Sequence, residues 1–290
     1  MISVFTPTYN RKDLVLRLYQ SLLLQSNSNF EWIIVDDGST DDTESLVQGF
    51  KKEGKLTISY HKQVNSGKHF AINKGVQMAQ FPYFFIVDSD DMLPQESIQT
   101  VLEIIKETEN LQDVGGVSGT CMTPDFQKVG GNSFEPIFTN SIAIRNTYNV
   151  KGDLAEVFKT DVLKEFPFPE IVNEKFCPEV LVWNRIAQKY KLYYTDKPIY
   201  IAEYQPDGLT AKIVKIRMNA PIATMLTYSE LANAAIPVTQ KVRATINFWR
   251  FAFNSKESFT SKFKKTNPLF SIIGLPLGYI MYKRDIQKYA

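Results

Sequence analysis

FFIVDSDDM, residues 84–92, is an apolar β-type run that stops on three carboxylates, Asp88, Asp90 and Asp91. A run this apolar suits a strand buried on both faces of a sheet. Three acids at one strand tip repel one another at a cost unless a cation occupies the site. Their hard oxygens suit Mg2+ or Mn2+, ions usually held by one or two carboxylates plus substrate phosphates. The competing reading is a solvated acidic turn that caps the next helix, because Asp is favoured there.

Working outward, further strand candidates lie at 2–6, 31–35, 56–60 and 114–118. Between them Val15, Leu18, Tyr19 and Leu22 fall at helical spacing, as do Ile98, Val101, Leu102 and Ile105 after Pro94. Strand–helix alternation predicts an α/β fold with a doubly wound, mostly parallel sheet. Ligands of such sheets sit beyond the carboxyl ends of the strands. The segments found there are TPTYN, DDGSTDD, NSGK and DSDD, all polar or turn-forming. Residues 120–150 read as loop, 178–190 as helix, 192–204 as extended chain, and the sequence beyond about 215 as mainly helical.

WIIVDDGSTDDT (32–43) supplies a second acidic tip. Asp36 and Asp37 end the strand, Gly38 permits a tight turn, and Ser39 or Asp41 can cap the following helix. A carboxylate here can accept a hydrogen bond from a base or a ribose. A phospho-acceptor pocket of the response-regulator kind would place its acidic pair after the first strand and end near residue 120, and this chain does neither. NSGKHFAINKG (65–75) lacks the G-x-x-x-x-G-K-[ST] spacing of a phosphate-cradling P-loop.

Charge is uneven along the 290 residues. Net charge is +2, from 33 basic and 31 acidic residues, yet positions 241–290 hold ten Lys or Arg against only Glu257 and Asp285. A mildly acidic body thus carries a basic tail. Two cysteines and two histidines exclude a disulfide framework and His-rich metal chemistry. The chain enters a strand at Ile2 without an apolar signal core, so a reducing, cytoplasmic setting is expected.

TPTYNR (6–11), IIVDDGSTDDT (33–43), NSGKHFAINKGV (65–76) and FIVDSDD (85–91), in that order, resemble the family 2 glycosyltransferases of the A-type fold. The resemblance runs over about residues 1–210. It implies that Pro7 and Tyr9 line the nucleotide base and that Asp37 accepts from it, in the manner of uracil recognition. It places Asp88 near the ribose and Asp90 on an Mn2+ or Mg2+ ion, with Asp91 an additional acid. Asn65, Gly67 and Lys68 would flank the nucleotide, and Lys68 either approaches phosphate or is a solvated loop lysine.

Family members commonly carry a Glu-Asp pair followed, six residues after the Asp, by Arg, and the Asp is the general base. In CPEVLVWNR (177–185), Glu179 stands six residues before Arg185, and Pro178 replaces the usual Glu. Glu179 is therefore the implied base. Its place in the first turn of a helix favours the ionised form, and equally suits a Glu that only stabilises the helix end. Glu174 and Glu170 are the alternatives. YQPDGLT (204–210) lies where relatives often carry a His, and none is present.

The resemblance implies an inverting, metal-dependent transfer of a sugar from a nucleotide diphosphate donor, a UDP-sugar, to an acceptor hydroxyl in bacterial-type glycan or polysaccharide assembly. The acceptor would be a glycan or a lipid-linked molecule. The expected domains are a nucleotide-sugar-binding, catalytic one at 1–212 and a helical basic extension at 213–290. Two rivals remain: a catalytically inactive glycan- or membrane-surface-binding protein on the same fold, and a sugar nucleotidyltransferase. The second would need a Gly-rich, Arg-containing loop after the first strand, which TPTYNR is not.

In the tail, LFSIIGLPLGYIMY (269–282) is apolar but shorter than the ~20 residues that span a bilayer. Together with Phe248, Trp249, Phe251, Phe253 and the flanking lysines it reads either as an element on an anionic membrane surface, peripheral at the inner face of the cell membrane, or as a helix packed on the catalytic domain. No nucleic-acid-binding module is recognisable, and no nucleic-acid partner is expected.

Overall fold

All seven residues of Ile2–Thr8 are buried, and so are all seven of Phe30–Asp36, which is what two-sided apolar runs require of a sheet centre. The structure, a computed structural model, describes residues 1–203 and 212–289; the YQPDGLT stretch lies outside the described residues. The chain divides into two units, Met1–Pro167 with Ile186–Gln205, and Phe168–Arg185 with Pro206–Ala290.

The first unit opens with β1 (Ile2–Thr8), α1 (Lys12–Leu23), β2 (Phe30–Asp36), α2 (Thr43–Glu53), β3 (Ile58–Lys62), α3 (Lys68–Met78), β4 (Tyr83–Ile86) and α4 (Ser97–Glu107). It continues with β5 (Val114–Met122), β6 (Ile137–Thr139), α5 (Ser141–Asn146), β7 (Leu154–Lys159) and α6 (Thr160–Glu165), and a last strand, Lys191–Ile201, follows after the second unit's first helix. That helix is α7 (Glu179–Ile186), and the strand is β8. The sheet order is β3-β2-β1-β4-β7-β5-β8-β6. β1 pairs in parallel with β2 and β4, and β2 with β3, so three βα crossovers bring four strand ends to one edge.

The helical spacing read for α1 matches what is buried: Val15, Leu18, Tyr19 and Leu22. In α4, Ile98 and Val101 are buried as read, Leu102 and Ile105 are half-buried, and Ile104 is buried as well. Tyr19, Trp32 and Phe50 stack beneath α1, with the Tyr19 and Phe50 ring centroids 3.7 Å apart. One expectation is corrected: the 120–150 stretch, read as loop, contains β6 and α5. Beyond it β7, which the sequence reading did not single out, enters the sheet antiparallel to both β4 and β5. β7 (LAEVFK) alternates half-buried and buried positions, too short a signal to stand out in the sequence.

The second unit is helical: α7 is followed by α8 (Ile213–Asn219), α9 (Pro221–Asn233), α10 (Val238–Ala252), α11 (Phe259–Lys264) and α12 (Pro268–Tyr289). Met225, Phe248, Trp249 and Ala252 form its core. Phe248, Trp249 and Phe251, read with the tail either as a membrane-surface element or as part of a packed helix, are buried, because α10 turns them inward, so these three belong to the packed alternative. No helix among the described residues is long and apolar enough to cross a membrane.

Candidate active site

Just beyond β4 the chain turns back on itself, and Asp88, Asp90 and Asp91 converge. One ligand oxygen from each lies within 4.8 Å of the others. Four neighbours offset the charge. Lys68 Nζ lies 2.6 Å from one Asp88 oxygen and 2.7 Å from the other. Arg11 Nη1 pairs with Asp90 Oδ2 at 2.6 Å. The buried Tyr200 hydroxyl donates to Asp91 Oδ2 at 2.6 Å and accepts the Asp88 N–H at 3.0 Å, while the Glu203 N–H donates to Asp91 Oδ1.

These donors do not fully compensate Asp91. Burial, and then the Asp88 charge, push its carboxyl up to about 7, against the pull of the Tyr200 and Glu203 bonds. Burial beside the same carboxylates drives the Tyr200 hydroxyl well above its ordinary range.

At the end of β2 the two acids separate their work. Asp36 accepts from the Ser39 N–H and the Tyr60 hydroxyl, and so holds its own turn. Asp37 accepts from Gln63 Nε2 and the Ser66 N–H on one oxygen and from the Gly67 N–H on the other, each at 2.8 Å. Asp37 therefore straps the loop bearing Asn65, Gly67 and Lys68 to the β2 tip. Gly67 has φ of 107°, a conformation that favours glycine, and starts α3. A Cβ on Gly38 would stand 3.0 Å from the Asn65 nitrogen, so a larger residue would push this loop away.

The β1 tip is joined to the same edge. Asn10 Oδ1 accepts from the Thr40 N–H, and the Asn10 N–H donates to Ser39 Oγ. Pro7 is buried within β1, and Tyr9, just beyond its end, is 46% exposed. The structure thus gathers Pro7, Tyr9, Asp37, Asn65, Gly67, Lys68, Asp88 and Asp90 along one edge of the first unit.

The donor set fits a divalent cation: three carboxylates with ligand atoms in reach of one centre, all hard oxygens. Asp91 is raised in pKa and has its oxygens bonded to Tyr200 and the Glu203 N–H, whereas Asp90 meets Arg11 through Oδ2 and Asp88 meets the flexible end of Lys68, so Asp90, with Asp88 beside it, is the better ligand.

Glu179 belongs to the second unit, half-buried at the first position of α7. Arg185, six residues on, forms a bidentate pair with Glu230, at 2.9 Å through Nε and 2.7 Å through Nη2. The alternative Glu174 is buried, with its two oxygens accepting the Ile222 and Ala223 N–H groups at the start of α9. It serves as the stabilising anion of that helix end.

A family model described as glycosyl transferase family 2 matches residues 3–160. The chain belongs to glycosyl transferase family 2. A glycosyltransferase of Rickettsia felis is 37% identical over 106 residues, which are 37% of this chain and 17% of that protein. Poly-beta-1,6-N-acetyl-D-glucosamine synthase of Staphylococcus epidermidis is 24% identical over 222 residues, 73% of this chain and 50% of the synthase. The matched stretches are thus half or less of these relatives' lengths. S. aureus TarS 1–349, crystallised with UDP-GlcNAc, superposes with a TM-score of 0.65 at 20% identity, over 99% of this chain and 89% of that one. The A-type glycosyltransferase fold inferred from the four motifs is therefore the fold of the chain.

The family match takes in the strand-tip residues from Pro7 to Asp91 and ends before Glu179. Two residues that shape the site escaped the sequence reading. Arg11 stands in the quoted TPTYNR, but nothing in the sequence pairs it with Asp90. Tyr200 lies 109 residues from Asp91, on a strand whose sequence carries no motif.

Proposed function

We propose that the chain transfers a sugar from a nucleotide diphosphate donor, a UDP-sugar, to an acceptor hydroxyl with inversion at the anomeric carbon. The observation that carries this reading is the Asp88–Asp90–Asp91 cluster, flanked by Lys68 and Arg11, at the edge where the β1, β2 and β3 loops also end. The UDP-GlcNAc complex of TarS and the polymer product named for the S. epidermidis synthase support a UDP-sugar and a role in glycan or polysaccharide assembly.

Pro7 and Tyr9 line the base, and Asp37 accepts from it with the lone pairs its loop bonds leave over. Asn65 and Gly67 flank the nucleotide, Lys68 turns to phosphate, and Asp88 meets the ribose. Asp90, with Asp88 beside it, would hold Mn2+ or Mg2+; when bound, the ion supplies charge stabilisation to the departing diphosphate. Glu179 accepts the proton of the attacking hydroxyl, a single displacement that needs no covalent nucleophile. The catalytic domain spans residues 1–212 and the helical extension 213–290, and the protein works in the cytoplasm, peripheral at the membrane, on a glycan or lipid-linked acceptor.

Thermal unfolding of the full chain with UDP, Mn2+ and both together tests the donor site. A marked rise only with both supports the reading, whereas an unchanged midpoint with UDP, Mn2+ and UDP-GlcNAc together refutes it. A panel of nucleotide sugars, assayed for hydrolysis, then identifies the donor.

A further inference from the structure

The last helix is turned inside out. α12 faces the core of the second unit with its small residues: Ser271, Gly274 and Gly278 are the buried positions of its apolar length. The approach of α10 demands them. A Cβ on Gly274 would meet Thr245 at 2.7 Å, and one on Gly278 would meet Arg250 N and Ile246 O at 2.8 Å. Most of the larger side chains consequently point away, while Leu275 packs on the core and Tyr279 and Tyr282 lie against Phe253. Leu269 and Ile272 are 72% and 71% exposed, and Ile273, Leu277, Tyr279 and Ile280 are between 43% and 50% exposed. A water-soluble helix ordinarily does the reverse, and an exposed apolar stripe of this length marks an interaction site.

Charge decides what the stripe meets. At 100° per residue, Lys283, Arg284 and Lys288 continue the exposed side beyond Ile280, and all three are exposed. The only acid of α12 is Asp285, and it is buried on the opposite side in a bidentate pair with Arg250, at 2.5 and 2.7 Å. The outward face is therefore apolar for about 16 Å from Leu269 to Ile280, then cationic, with no acid. A second copy docked in antiparallel fashion would lay its three cations over the first copy's apolar turns, unpaired and desolvated. An anionic bilayer satisfies both halves: acyl chains take the apolar turns, and lipid phosphates take the cations.

We propose that α12 is an in-plane membrane anchor, with Leu269–Ile280 inserted at the headgroup boundary of an anionic leaflet and Lys283, Arg284 and Lys288 on its phosphates. This deepens the peripheral location proposed above by naming the surface and the residues, and it rests on that reading.

The test is co-sedimentation of the full chain with vesicles of phosphatidylcholine containing phosphatidylglycerol, against pure phosphatidylcholine. The wild type should sediment with the anionic vesicles and keep part of that binding at high salt. At about one decade in affinity for every one to two cations, Lys283→Gln, Arg284→Gln and Lys288→Gln together should weaken binding by on the order of 100-fold and remove its salt dependence. Ile272→Ser with Ile280→Ser should remove the salt-resistant part. These positions are exposed, so the melting temperature and UDP binding should hold in every variant, and UDP binding read alongside separates failure of the anchor from failure of the catalytic assignment. Absence of wild-type sedimentation, or sedimentation indifferent to both variants, overturns the anchor. So does a concentration-dependent dimer in sedimentation velocity that Ile272→Ser with Ile280→Ser converts to monomer.

Discussion

Asp91 is held at a cost that a single atom exchange should reveal. Its carboxyl stands at about 7 in the folded chain, against an ordinary 3.8. A folded-state value above the unfolded one means that Asp91's contribution to stability is complete below about pH 4 and is lost as pH rises through about 7. At ~1.4 kcal/mol for each tenfold change in proton affinity, that rise amounts to about 4 kcal/mol of lost stability near pH 8. Asp91→Asn keeps the shape of the neutral acid and cannot ionise. The nucleotide-free variant should therefore match the wild type near pH 4 and exceed it by roughly 3–4 kcal/mol near pH 8. Urea denaturation of both proteins in chelator, across that range, measures the difference, and titrating groups remote from Asp91 cancel between them. Parallel stability curves would refute the argument, since they would mean that Tyr200 and Glu203 already compensate the charge.

Other outcomes follow from the site. Asp90→Asn should abolish transfer and the Mn2+-dependent part of UDP binding, because the ion's charge stabilisation is worth several kcal/mol; equal calorimetric UDP affinity in both proteins with Mn2+ would sink that assignment. Glu179→Gln should lower turnover by about 10²–10⁴ with donor binding nearly unchanged, as loss of a general base does. Glu174→Gln should cost about 1–3 kcal/mol of stability, since one of its two bonds to the α9 amides becomes a clash of donors; unchanged stability with lost turnover would make Glu174 the base instead.

The sequence announced the sheet's centre because parallel strands buried on both faces have no polar alternation to hide them. It announced the strand-tip residues because turn chemistry and acids have few other uses there. The other half of the sheet was silent. β7 has six residues and β6 three, and both are held by neighbours far along the chain, so their identity lies in pairing rather than in pattern. The same holds for Tyr200, whose role depends on a contact across 109 residues. The α12 stripe was legible as apolar sequence, but its direction was not. Only the fit of Gly274 and Gly278 against α10 decides which side of that helix faces out.

Arg11 shows how the site's charges make its ligands interdependent. Three carboxylates face two cations, Lys68 and Arg11, so the nucleotide-free edge is close to neutral and each acid nearest a metal position already has a basic partner. A divalent ion arriving alone would have to displace the Arg11 guanidinium from Asp90; a diphosphate arriving alone would have to draw Arg11 and Lys68 away from Asp90 and Asp88 and leave those acids unpaired. Arriving together, the ion would be held by the carboxylates and the phosphates would take the released bases. Arg11→Gln should break this balance in opposite directions. A charge-assisted hydrogen bond of about 1.5–3 kcal/mol no longer competes for Asp90, so Mn2+ should bind the nucleotide-free variant about ten- to hundredfold more tightly. UDP affinity in the presence of Mn2+ should fall, because one phosphate partner is gone. Titration of Mn2+ into the full chain, with and without UDP, reads both changes. If Arg11→Gln leaves Mn2+ affinity unaltered or weaker, the guanidinium is not the ion's competitor, and the requirement for both ligands together must come from elsewhere.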